Sequence, residues 1–114
     1  MNCACKKENI SFFRGSTPTL IFTIEEEDFD LEDVAICHVA IETDNCKKQK
    51  IFENPTIDLV DKTVSLTLTQ QDTLFWEPGN LNAQLKFKLN NGVTSVYSDI
   101  IVIQCKRSLE DAVL

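Results

Sequence analysis

Apolar and polar residues alternate with a period of two along most of the chain, the pattern of strands that bury one face. In residues 19–25, the side chains of Leu20, Phe22 and Ile24 fall on one side of the backbone. Residues 34–42 are apolar on both sides at their centre, which predicts a central strand of a sheet. The chain is therefore expected to be rich in short strands.

Other segments repeat this pattern and complete the set of expected strands. They are residues 9–13, 47–53, 56–60 and 63–68. Lysines in the second of these segments indicate an edge strand, because charged side chains discourage pairing with stray strands.

The alternation breaks at residues 69–76. Thr69 is followed three residues later by Asp72, which resembles a capping box, so one or two helical turns are predicted near residues 70–76. The apolar residues at the end of this segment, including Trp76, are expected to close one end of the core.

Residues 79–105 are predicted to form a hairpin about Asn91 and Gly92, because both central residues of a type I′ turn need positive φ. That turn places Leu89 opposite Thr94. The even-numbered residues of the second strand of the hairpin then lie on the buried face, together with the leucines of the first strand. The lysines of the first strand fall on the face expected to meet solvent.

About eight short strands joined by turn residues predict an all-β fold. The expected architecture is an antiparallel β-sandwich, immunoglobulin-like, of about eight strands with one short helical turn near residues 70–76; a barrel is the alternative. At 114 residues the chain forms a single domain, residues 1–114. Residues 1–8 are expected to fray, and residues 106–114 form a C-terminal tail.

Charge and composition exclude several classes of partner. The formal net charge of −7 argues against nucleic-acid binding, which needs basic residues to neutralise phosphates, and against an anionic membrane surface. No run of eighteen apolar residues would span a bilayer, and the first residues lack the apolar stretch of a secretory signal. Five cysteines without a framework spacing are expected to be thiols in a reducing compartment.

No catalytic, cofactor-binding or metal-binding residues are predicted, and the chain is not expected to be an enzyme. The one histidine, His38, lies in a strand segment without a nucleophile motif. Cys3 and Cys5 offer two thiolates, but no second pair completes a four-ligand zinc site. Residues 25–33 hold seven carboxylates without the spacing of an EF-hand loop, so they are expected to form a solvated connection.

Three blocks of strand, turn and helix-start residues carry a resemblance to a known family. They are residues 10–24 with the Arg14-Gly15 turn, residues 64–75 with Pro78-Gly79 after them, and residues 84–87 with Asn91-Gly92, 98–101 and 109–114. Their order resembles that of small structural proteins of tailed bacteriophages and prophages. It is also similar to the N-terminal domain of phage baseplate upper proteins.

This resemblance implies a non-enzymatic virion structural protein, tail or baseplate associated, made in the bacterial host cytoplasm and assembled into the virion. Its expected partners are other virion proteins and further copies of itself, as a homo-oligomer. Leu109, Val113 and Leu114 in the apolar-acidic tail are expected to dock onto a neighbouring subunit. Packing of the tail onto its own sandwich is the alternative.

Two further functions stay open at this point. A carbohydrate-binding or adhesive module would need an exposed aromatic platform, which only Trp76 and Tyr97 can supply, and Trp76 is expected to be buried. A small acidic phage-encoded inhibitor that mimics nucleic acid would need carboxylates spread over several elements. Here they cluster in residues 25–33.

Overall fold

The computed structural model describes residues 10–25, 30–45, 47–96 and 100–110, which form a sandwich of two β-sheets. The strands are β1 (Ile10–Phe13), β2 (Thr19–Thr23), β3 (Val34–Thr43), β4 (Gln49–Phe52), β5 (Thr56–Asp58), β6 (Thr63–Thr67), β7 (Gly79–Leu89), β8 (Thr94–Val96) and β9 (Ile101–Lys106). Within those residues, helical structure is confined to a 3-10 turn at Leu31–Asp33 and to α1 (Gln70–Leu74). The all-β sandwich expected from the sequence is confirmed.

The larger sheet has the order β1-β9-β7-β3-β4, with β8 beside β7, and the smaller sheet has the order β2-β6-β5. The partition of β2, β5 and β6 from β3, β7 and β9 is that of an immunoglobulin-like sandwich. The predicted edge strand at residues 47–53 is confirmed as β4, and the predicted central strand is confirmed as β3, between β4 and β7.

The expectation of a wholly antiparallel sandwich is wrong at β1, which pairs in parallel with β9 from Ile10 opposite Ile103 to Phe13 opposite Lys106. A short connection, residues 14–18, carries the chain from β1 in one sheet to β2 in the other. Because these two strands lie in different sheets, they are not hairpin partners, and β1 pairs instead with the last strand.

One core fills the space between the two sheets. It is built from alternate residues, as the period-two pattern predicts, and its most deeply buried side chains include Leu20, Phe22, Val39, Ile41, Val64, Leu81, Leu85, Phe87 and Ile103. Leu31 is also buried, at 5% exposure, and anchors the acidic connection that precedes β3. Residues 26–29 of that connection lie outside the described residues.

The hairpin forms where the sequence predicts it, but its predicted register is wrong by one residue. Lys88, not Leu89, lies opposite Thr94. The loop holds three residues, closed by a hydrogen bond from Leu89 N to Val93 O of 2.8 Å. Gly92 has a φ of 92°, whereas Asn91 is not among the positive-φ residues, so a type I′ turn is absent from this hairpin. A three-residue loop with a left-handed glycine is the next most common hairpin connection.

This register change moves apolar side chains to the outside of the sheet. Because neighbouring positions face opposite ways, a shift of one residue exchanges the two faces of a strand. Val96 and Ile100, expected in the core, are 50% and 38% exposed, while Ile101 and Ile103 are buried instead. The returning strand is also split into β8 and β9, which raises the strand count from eight to nine.

The predicted helical turn is confirmed as α1, and its capping box is complete. Thr69 Oγ1 accepts a hydrogen bond from Asp72 N at 3.1 Å, and Asp72 Oδ2 accepts one from Thr69 N at 2.9 Å. Trp76, just after the helix, is fully buried. It packs against Phe75 and Phe52, so the aromatic residues close one end of the core as expected.

The Arg14-Gly15 turn is fastened to this helix. Thr73, a fully buried polar residue, accepts a hydrogen bond from Gly15 N at 3.0 Å and donates one to Ser16 O at 2.8 Å. Arg14 donates from Nε to Trp76 O at 2.9 Å and from Nη2 to Leu74 O at 3.1 Å. The crossing between the two sheets is therefore held by polar contacts to the end of α1.

We expect Thr73→Val to lower the free energy of unfolding by about 1–3 kcal/mol, because it leaves the half-buried Gly15 N and Ser16 O without their partner. Thr23→Val makes the same change at an exposed position of β2 and should stay within about 0.5 kcal/mol of the wild type. Urea unfolding measures both values. Equal stabilities for the two variants would show that the turn is not held by Thr73.

Candidate interaction surface

The outer face of the larger sheet, on the side away from the core, presents side chains in rows that run across the strands. Two adjacent rows are Ile36-Lys88-Thr94 and His38-Lys86-Val96, contributed by β3, β7 and β8. In the next row, Ala40 lies between Gln84 of β7 and Ile51 of β4. The face is therefore continuous over four neighbouring strands.

Four large aliphatic side chains on this face are exposed, and we call them the outer-face patch. They are Ile36, Ile51, Val96 and Ile100, at 46%, 50%, 50% and 38% exposure. Isolated apolar residues on a protein surface are ordinary, but several on one side of one sheet mark an interaction site. The patch is the main candidate functional surface of the molecule.

Shallow hollows lie on this face. One of about 240 Å³ is lined by Ile36, His38, Lys86, Lys88 and Thr94. A second of about 110 Å³ is lined mainly by Ala40, Glu42, Gln49, Asn82, Gln84 and Ile100. Their size suits single side chains of a partner rather than a drug-sized ligand, which needs at least about 300 Å³.

The charge of the first hollow is opposite to that of the protein as a whole. The chain has a net charge of −7, yet Lys86 and Lys88 are exposed at the centres of these two rows. Neither lysine forms an ion pair with any described residue. The first hollow thus combines aliphatic contact area with two lysines that pair with no carboxylate of the described residues.

Sequence reasoning missed this surface, although one feature of the sequence pointed to it. Residues 34–42 are apolar on both sides, which predicts a central strand of a sheet. The described residues cover only the inner face of this strand, so Ile36 is exposed and Ala40 half-exposed. A doubly apolar strand in a two-layer sandwich leaves one apolar face for a partner.

Of the three predicted interface residues, Leu109 is described and is 99% exposed; Val113 and Leu114 lie outside the described residues. The tail begins one residue later than expected, because Lys106 still belongs to β9. The carbonyl oxygen of Glu110 lies 4.0 Å from the point that a Cβ atom would occupy if Gly15 carried a side chain. Gly15 is at the end of the sandwich opposite the loop of residues 90–92. Glu110 and the hollow between the lysines are therefore at opposite ends of β7.

The aromatic end of the sandwich is occupied by structural contacts. Lys50 Nζ pairs with Asp72 Oδ1 at 2.8 Å and lies 5.2 Å from the ring centre of Phe75. A cleft of about 400 Å³ lies beside it, lined by polar residues of the β3–β4 turn and of Glu77–Asn80. Trp76 is buried and does not reach this surface, so it offers no platform for a sugar.

The remaining candidates for chemistry stay apart in the described chain. His38 is half-buried in β3 beside Lys86, as the expectation of a structural histidine implies. The described residues contain no group of three or more His, Cys, Asp or Glu side chains placed to hold a metal ion. Cys3, Cys5 and Tyr97 lie outside those residues.

Comparison with protein-family models and with curated proteins finds no match for this chain. In the part of the chain that the structure describes, no helix is long and apolar enough to cross a membrane.

The Lys50–Asp72 pair should make stability depend on pH. Partial burial raises the pKa of Asp72, but hydrogen bonds from Lys50 and Thr69 outweigh it and hold the pKa below the ordinary 3.8. A carboxyl group with a lowered folded-state pKa stabilises the fold above its unfolded-state pKa, and the effect is lost as pH falls through the folded value. Asp72→Asn should therefore cost roughly 0.5–1 kcal/mol at neutral pH and almost nothing near pH 2.

Urea unfolding at several pH values measures this difference. Asp61→Asn, at an exposed turn, is the matched control. This variant should lose folding stability in acid as the wild type does, because Asp72 is still present. A cost for Asp72→Asn that does not change with pH would contradict the assignment.

The buried thiols should be inert in the folded protein. Burial raises the pKa of Cys37 from 9.0 to about 11, and Cys105 is also buried. At pH 8 only roughly one Cys37 thiol in a thousand is then the reactive thiolate. In a chain whose other three cysteines are serine, iodoacetamide should label neither thiol before unfolding and both after it, as mass spectrometry would show. Rapid labelling of native Cys37 would contradict this.

Proposed function

We propose that this chain is a non-enzymatic structural protein of a phage or prophage virion, associated with the tail or baseplate, that acts through contacts with other protein subunits. The observation that carries the proposal is the outer-face patch, an exposed aliphatic surface on one side of a well-packed sheet. The free energy of protein and solvent falls when a partner removes apolar surface of this kind from water.

Two further features support assembly. Leu109 is almost fully exposed and starts an apolar-acidic segment after the last strand. The order of strand, turn and helix signals in the sequence resembles that of phage tail and baseplate structural proteins. The proposed partners are other virion proteins and further copies of the chain, and the proposed location is the virion.

The burial of Trp76 counts against carbohydrate binding, because that function needs an exposed aromatic side chain. The nucleic-acid-mimic alternative needs carboxylates on several elements of one surface. On the outer face of the larger sheet, β7 presents two exposed lysines instead. Neither alternative is favoured by a specific observation.

The mass of the chain in solution tests the proposal. We expect light scattering to show association of the 12.9 kDa chain as its concentration rises, and deletion after Arg107 to abolish it. Leu109→Ser should weaken it, whereas Val60→Ser, which removes an equally exposed aliphatic side chain from the β5–β6 turn, should not. A chain that stays monomeric up to about 1 mM would contradict self-assembly.

Particle composition tests the virion assignment separately. We expect mass spectrometry of tails purified from a producing host to find this chain in fixed proportion to the other tail proteins. Its presence in the host lysate but absence from purified particles would contradict a structural role.

A further inference from the structure

We propose that the segment Leu109–Leu114 of one copy docks on the hollow between β3, β7 and β8 of a second copy, with its carboxylates against Lys86 and Lys88. This inference rests on the proposed function, because it names the surface that receives the tail.

Charge complementarity selects the tail as the occupant. The segment combines Leu109, Val113 and Leu114 with the carboxylates of Glu110 and Asp111. The hollow combines aliphatic walls with two lysines that form no ion pair with a described residue. In a protein with a net charge of −7, a basic and apolar hollow is a complementary site for an acidic and apolar peptide.

Chain length makes the contact intermolecular. Glu110 is held near Gly15, beyond the end of β7 that begins at Gly79. Lys86 lies seven residues further along that strand, a distance of about 23 Å at the rise of a β-strand. Residues 111–114 span at most about 14 Å when fully extended. The tail therefore falls short of its own hollow and reaches that of a second copy.

The contact joins two different surfaces, so it is heterologous. Heterologous contacts close into rings when the rotation between subunits permits, and otherwise propagate. This geometry differs from a two-fold dimer, in which the outer faces of two copies would cover each other without the tail.

Charge exchange tests the contact in the full chain. Lys86→Glu with Lys88→Glu should raise the concentration for half-association at least tenfold, and Glu110→Lys with Asp111→Lys should do the same, because attraction becomes repulsion. An equimolar mixture of the two variants should regain the wild-type value, since each tail then meets a face of opposite charge. Lys47→Glu with Lys62→Glu changes the net charge equally at exposed sites elsewhere and should leave association within about twofold.

Crosslinking locates the contact directly. A photoreactive benzophenone at position 109, in a mixture of isotopically labelled and unlabelled chains, should crosslink between copies to peptides that contain Ile36–His38 or Lys86–Val96. Crosslinks to any other surface, or association that responds to the face variants but not to the tail variants, would overturn the docking site. The proposed function would survive that result as long as the chain self-associates and is present in purified particles.

Discussion

The strand alternation of β7 is the constraint on which the rest of this structure depends. Its inward side chains, from Leu81 to Phe87, are almost completely buried and meet the smaller sheet across the core. The same strand hydrogen-bonds with β3, β8 and β9, so it aligns most of the larger sheet. Its outward positions then place Lys86 and Lys88 on the opposite face. One period-two pattern thus builds the core and sets the position of the cations.

Polar contacts stabilise the fold where the alternation of apolar and polar residues ends. The chain crosses from β1 to β2 through a turn that offers few apolar contacts, and Arg14 and Thr73 fasten it to the end of α1. Such buried hydrogen bonds contribute little net free energy when made, but their loss is costly, because the partners stay buried. The structure gives the Arg14-Gly15 turn a packing role.

The outer-face patch is the feature that the fold of a single copy does not explain. A surface strand would normally place polar residues at Ile36 and Ile51, and the smaller sheet carries Thr and Ser at most of its outer positions. The larger sheet instead combines aliphatic side chains with lysines in an acidic protein. The proposed assembly would account for both properties, since a partner would cover the apolar area and neutralise the charge.

Local periodicity and short-range hydrogen bonds in the sequence determined most of the strands, the core positions of β2, β6 and β7, the capped turn at Thr69 and the burial of Trp76. The sequence did not determine the parallel pairing of β1 with β9, which depends on which sheet each strand joins. It also missed the hairpin register, since Asn91-Gly92 suits both a two-residue and a three-residue loop. Only the tertiary structure chose between them, and that choice moved Val96 and Ile100 from the core to the candidate surface, because a shift of one residue exchanges the faces of a strand.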